Sequence, residues 1–175
     1  MSDALRVCLV GATGLIGGTV MRECIEREDI RLQAIGRREA DIPRGLRIEY
    51  FVAEPAKWGE VLEAIKPKAM ICALGTTWKK AGENEEAFRA VDEHLVLETA
   101  RAAKENGVER FVCVSSVGAD MASKTFYLKV KGEVERELTR IRFNRLDILR
   151  PGLLLGNREN DRRTAEQWGI LAAPI

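Results

Sequence analysis

The apolar run Arg6–Val10 (RVCLV) passes without a gap into Gly11-Ala12-Thr13-Gly14-Leu15-Ile16-Gly17, and this junction restricts the fold more than any other stretch of the chain. The run is short and continuous, as in a strand covered on both faces. Gly11 permits the tight turn that leaves the strand. Gly14 removes a side chain where an anionic group would approach the backbone, and Gly17 lets the following helix sit close to the strand. The free N–H groups of that helix and the positive end of its dipole would then face a phosphate. Glycines at this spacing are a weak signal alone. Following a strand and opening a helix, they read as the pyrophosphate turn of a dinucleotide site.

Beyond the turn, strand-like and helical patterns alternate. Arg31–Gly36, Arg47–Val52, Ala69–Leu74, Arg110–Ser115 and Arg145–Arg150 read as strands. Gly14–Arg27, Trp58–Ile65, Glu85–Asn106 and Phe126–Arg140 read as helices; in the third of these, Phe88, Val91, Leu95, Thr99 and Ala102 share one face. Such alternation implies βαβ units and a parallel sheet. Right-handed crossovers then give a doubly wound α/β sheet of order 3-2-1-4-5-6 with helices on both faces. At 175 residues the chain suits one domain, 1–175.

The end of the second strand should approach the adenosine ribose. An NAD(H) site wants an acid there to accept from the 2′-hydroxyl. This chain offers Gly36-Arg37-Arg38, and Glu39 is the first acid. Guanidinium groups bind phosphate through paired hydrogen bonds, so NADP(H) is expected over NAD(H), with Arg37 carrying more of the preference than Arg38.

Tyr127 and Lys131 lie four residues apart in a helical segment and so share a face. A nearby ammonium favours the phenolate, and such a tyrosine can exchange the proton that accompanies hydride transfer. Ser115 and Ser116 close the fifth strand, at the sheet edge where ligands lie in open α/β folds. A serine hydroxyl there could hold a substrate oxygen beside the tyrosine.

The charge balance, 28 Lys+Arg against 27 Asp+Glu, argues against a nucleic-acid surface as the main function. No apolar run is long enough to span a membrane. Cys8, Cys72 and Cys113 sit in strand-like runs and Cys24 in a helical one, which suits reduced thiols used as small hydrophobes. Their spacing fits no zinc pattern, and His94 is the only histidine, so no metal site is expected. With no apolar leader at the start, a cytoplasmic protein is expected.

GATGLIG, IGRR, CALGTTWKKAG, VSSVGAD, YLKVKGEVE and LRPGLLLG occur in the order seen in the atypical short-chain dehydrogenases/reductases. The pattern resembles their Tat-interacting-protein-like branch, NADPH-binding proteins with a Rossmann fold, from Arg6 to about Gly156. That resemblance implies cofactor contacts from Gly11, Thr13, Gly14, Leu15, Ile16, Gly17, Arg37, Arg38, Ala73, Leu74, Gly75 and Thr76. It extends them to Ser115, Tyr127, Lys131 and the segment Pro151-Gly152-Leu153-Leu154 beside the nicotinamide. Ser116, Tyr127 and Lys131 would be the catalytic set, with Ser115 as the alternative serine. Three departures stand out: Asp92 where the family often has Asn after Val, a spacing of only 11 residues from Ser116 to Tyr127, and an end at Ile175 that leaves 156–175 as a remnant of a substrate-side region. Two functions follow. One is an NADPH-dependent reductase of a small carbonyl or activated double bond; the other is a non-catalytic NADPH-binding regulator that docks on a protein partner or a second copy of itself.

Overall fold

The structure is a computed structural model that describes residues 4–152. Its six strands are β1 (Leu5–Val10), β2 (Ile30–Gly36), β3 (Ile48–Val52), β4 (Ala69–Cys72), β5 (Arg110–Val114) and β6 (Arg145–Leu149). They form one parallel sheet in the order β3-β2-β1-β4-β5-β6, the Rossmann order expected from the sequence. The helices are α1 (Leu15–Glu23), α2 (Trp58–Ile65), α3 (Glu85–Arg89), α4 (Val96–Glu105) and α5 (Phe126–Ile141), with a π-helical turn, Ala90–Leu95, between α3 and α4.

Alternation along the central strands sorts the core into two layers. Val7 and Leu9 of β1 and Leu32 and Ala34 of β2 meet Met21 of α1 on one face. Cys8 and Val10 of β1, with Met70, Phe111 and Cys113, meet α2, α4 and α5 on the other through Leu62, Ala100, Val130 and Leu138. Phe111 also stacks on Phe143 at 4.8 Å between centroids. Each large side chain removed from water here contributes roughly 1.5–3 kcal/mol. The thiols serve this packing: Cys8, Cys72 and Cys113 are buried, and burial pushes Cys8 up to about 12, well away from a reactive thiolate.

Several boundaries differ from the sequence expectation. β4 ends at Cys72 rather than Leu74, which releases Ala73 and Leu74 into the loop above the sheet. α1 ends at Glu23 rather than Arg27, because Cys24 and Ile25 close it with tight bonds to Met21 O and Arg22 O. No helix joins β2 to β3. Strands β4, β5 and β6 are not fully covered, since Ile71, Val112, Val114 and Ile148 are only half-buried.

The largest difference lies in the segment expected as one regular helix. The π-helical turn inserts extra backbone after Arg89, and the buried face is wider than the expected stripe. Phe88, Leu95 and Thr99 are buried as expected, Asp92, Val96, Ala100 and Ala103 are buried beside them, and Val91 and Ala102 are only half-buried. Residues 153–175, which include Leu153, Leu154 and the segment 156–175 that the sequence reading assigned to a substrate-side region, lie outside the described residues.

Candidate functional site

β1 and β4 are the neighbours at which the strand order reverses, and a cleft of about 1200 Å³ opens over their carboxyl ends. This is the position where open α/β sheets hold ligands. Gly11 leaves β1 at φ +84°, and a β-carbon there would sit 2.4 Å from Ala73 O. A β-carbon on Gly17 would lie 2.1 Å from Gly11 O, so only glycine lets α1 approach the strand.

Gly14 is of a different kind. Its backbone is extended, at φ −85° and ψ 169°, and its nearest neighbour to an added β-carbon is Gly11 O at 3.3 Å. Gly14 forms part of the cleft wall together with Thr13, Leu15 and Ile16. The first turn of α1 has no side-chain cap and no acid. Its leading N–H groups are thus left for an anion, as the pyrophosphate reading requires.

At the end of β2 the structure separates the two arginines. Arg38 lines the cleft and Arg37 does not, whereas the sequence reading gave Arg37 the larger part. The Tyr50 hydroxyl donates to Arg38 O at 3.0 Å, which pins the backbone just past the strand. Ala73, Leu74, Gly75 and Thr76 line the opposite wall.

Tyr127 and Lys131 of α5 both face the cleft, as their spacing implied. The ammonium of Lys131 lies 5.8 Å from the Tyr127 ring centroid and 2.8 Å from Oδ1 of Asp92. Lys131 is 6% exposed and Asp92 1%, so the pair is dry. Burial disfavours the Lys131 charge, but the Asp92 carboxylate beside it, Tyr127 and the Asp92 hydrogen bond together hold it above its ordinary range. The other Asp92 oxygen accepts from the Thr76 backbone N–H at 2.7 Å. Asp92 therefore ties the β4 loop to the lysine. Phe88, buried, packs edge-on against Tyr127 at 5.7 Å and fixes the ring from behind.

Ser115 lines the cleft and donates to Glu135 Oε1 at 2.5 Å. Ser116 is equally buried but does not line the cleft; its hydroxyl is directed to Val117 O at 3.3 Å. The short connection to α5 folds back on the helix, with Asp120 N bonded to Leu128 O at 3.1 Å. Gly132 permits this: a β-carbon there would meet the Asp120 and Met121 backbone at 2.5 Å. Pro151 accepts from Val117 N at 3.1 Å, and neither it nor Gly152 lines the cleft. His94 is exposed in a separate groove of about 360 Å³ beside Glu133 and Arg136.

The sequence reading missed three side chains. Asp92 stands four residues after buried Phe88, a spacing that could have placed it inward. Glu135 stands four residues after Lys131 on the same face of α5. Arg150, at the end of β6, gives both its Nε and Nη2 to Glu135; nothing in the sequence pointed to this long-range pair.

Comparison with known proteins agrees with this fold. A family model described as NAD(P)H-binding matches residues 11–169. "Protein FMP52, mitochondrial" of Saccharomyces cerevisiae is 37% identical over 168 residues, which cover 94% of this chain and 72% of that protein. The Emericella nidulans protein of the same name is 35% identical, over 89% of this chain and 69% of that one. Among solved structures, a putative NAD-dependent epimerase/dehydratase from Bacillus halodurans superposes with a TM-score of 0.71 at 24% identity, over 90% of this chain and 74% of that one. The Bordetella bronchiseptica enzyme WbmH in complex with NAD+ superposes with a TM-score of 0.68 at 16% identity, over 85% of this chain. The chain spans only 57% of the WbmH chain, and these two likenesses speak to the fold alone.

The relatives correct one expectation outright. Their names place them in mitochondria, against the cytoplasmic location inferred from composition. The inference failed because the lack of a secretory leader excludes one address and is silent on organelles. They also bear the FMP52 name rather than that of the Tat-interacting-protein-like branch.

Proposed function

The chain belongs to the NAD(P)H-binding family, and from that premise we propose that it is an NADP(H)-dependent oxidoreductase of the short-chain dehydrogenase/reductase type, acting on a small carbonyl or activated double bond. The observation that carries the reading is the shared cleft. Ala12–Ile16 of the glycine turn, Tyr127 and Lys131 all line it, whereas Gly11 and Gly17 shape the turn from behind, and Lys131 is held charged by buried Asp92. A buried ion pair is costly to desolvate and weak evidence of stability, so its place beside a tyrosine in a ligand cleft favours a chemical role. By the same family relation, we place the protein in the mitochondrion.

The residues fit a dinucleotide: Gly14 leaves the turn open, α1 offers uncapped N–H groups, and the cleft is large enough. The nicotinamide, when bound, supplies the hydride. The Tyr127 hydroxyl gives its proton to the substrate oxygen, with the Lys131 ammonium held beside it. Asp92 keeps that ammonium in place. A screen of carbonyl compounds for NADPH oxidation at 340 nm tests the reading, and no oxidation above a Tyr127→Phe control for any compound would refute it.

Cofactor preference rests on Arg38. A charge-assisted contact to the 2′-phosphate contributes ~1.5–3 kcal/mol, roughly ten- to a hundredfold in affinity. NADPH is expected to bind at least about tenfold tighter than NADH at low salt, with the margin narrowing as salt screens an exposed site. Arg38→Ala should remove most of that margin and leave NADH binding nearly untouched, while Arg37→Ala has the smaller effect. Equal dissociation constants for the two cofactors in the unmodified protein would contradict the assignment.

A further inference from the structure

Tyr127, Lys131 and Glu135 are spaced four apart along one face of α5. The first two have roles in the reading above; Glu135 has none. It is 8% exposed, and Oε1 accepts from Ser115 Oγ at 2.5 Å and from Arg150 Nε at 2.9 Å, while Oε2 accepts from Arg150 Nη2. A carboxylate gripped on both oxygens by a guanidinium can only accept. The single hydrogen of the Ser115 hydroxyl is therefore committed to Glu135, away from the cleft that Ser115 lines. What the hydroxyl has left for a ligand is its lone pairs.

A carbonyl oxygen brings no hydrogen and gains nothing from such a group. A hydroxyl does. Ser116 offers no substitute, since it does not line the cleft. We propose that Glu135 is a positioning residue that makes Ser115 a hydrogen-bond acceptor toward the cleft, so that the site selects carbonyl compounds bearing a hydroxyl on the adjacent carbon. This rests on the oxidoreductase reading above. Tyr127 serves the carbonyl oxygen, and Ser115 takes the neighbouring hydroxyl. A ligand without that hydroxyl leaves a buried acceptor unpaired, which is the more discriminating kind of mismatch.

The test compares hydroxyacetone with butanone, which matches it in size but has a methyl in place of the hydroxyl. In the full chain with NADPH, kcat/KM should favour hydroxyacetone at least about tenfold. Ser115→Ala should bring the ratio close to one. Glu135→Gln should also lower it, because the glutamine amide can donate to Ser115 Oγ and free its hydrogen to turn into the cleft. NADPH affinity and melting temperature serve as controls. A merely structural Glu135 would slow both ketones alike and leave the ratio alone, which overturns the proposal; so does a ratio near one in the unmodified protein. Weaker NADPH binding by Ser115→Ala with an unchanged ratio would assign the acceptor to the cofactor's carboxamide and also overturn it. If neither ketone is turned over, the oxidoreductase reading fails for them. Ligand-observed NMR on the NADPH-loaded protein then decides the proposal: tighter hydroxyacetone binding that Ser115→Ala abolishes supports it, and equal binding of the two ketones overturns it.

Discussion

Tyr127→Phe is expected to lower the rate of NADPH oxidation by about 10²–10⁴-fold, the usual contribution of a positioned proton donor. The change removes one oxygen and keeps the ring, so the edge-on packing on Phe88 at 5.7 Å survives. Melting temperature and NADPH affinity should therefore stay close to their original values while kcat collapses. Steady-state kinetics at saturating NADPH, run beside a calorimetric titration, separates the two. A variant that retains full activity would place the proton donor elsewhere. One that fails to bind NADPH would make Tyr127 part of the cofactor's seat rather than of the chemistry.

The second large effect falls on Asp92. Asp92→Ala leaves the Lys131 ammonium buried without its partner, and breaking one side of such a pair costs about 3–5 kcal/mol. It also takes the acceptor from the Thr76 N–H, a bond of 2.7 Å in the wall of the cleft. Denaturant unfolding at pH 7 should show that loss. The pH dependence has a definite sign. Lys131 is held above its ordinary value of 10.5, so the stabilisation is complete below that pH and is lost as pH rises through the higher folded value. Asp92→Asn, which keeps an acceptor for Thr76 but removes the charge, should be less stable than the original at neutral pH and should lack this alkaline loss. Identical alkaline unfolding of the two proteins would detach Lys131 from Asp92.

Local signals carried the reading of the fold a long way. Continuous apolar runs and a glycine turn at a strand end are short-range features, and crossover handedness leaves few ways to order the strands; the sheet order follows. Tyr127 and Lys131 were legible for the same reason, because helical spacing alone puts them on one face. The failures share a cause as well. The π-helical turn after Arg89 has no mark in the sequence, and although the spacing from Phe88 could have turned Asp92 inward, nothing local names its partner, a lysine from another helix. The grip of Arg150 on Glu135 joins the end of β6 to α5, and the Tyr50 hydroxyl of a neighbouring strand holds the backbone at Arg38. These are contacts between elements, which periodicity within one element does not report.

The central claim is that the turn Gly11–Gly17 seats a dinucleotide, and calorimetric titration of Gly14→Val with NADPH tests it most directly. Gly17→Ala would be the wrong variant, because its β-carbon would fall 2.1 Å from Gly11 O and disturb the fold itself. Gly14 has an extended backbone that ordinary residues adopt, and an added β-carbon would lie 3.3 Å from Gly11 O, a tight contact that a small shift of the turn relieves. Valine there should cost the helix start about 1 kcal/mol and fill the wall of the cleft where the pyrophosphate would lie. The expected result is a folded protein with no measurable heat of NADPH binding under conditions where the original chain saturates. A folded Gly14→Val that binds NADPH as tightly as the original would mean that the turn is structural only and that the nucleotide, if bound, sits elsewhere.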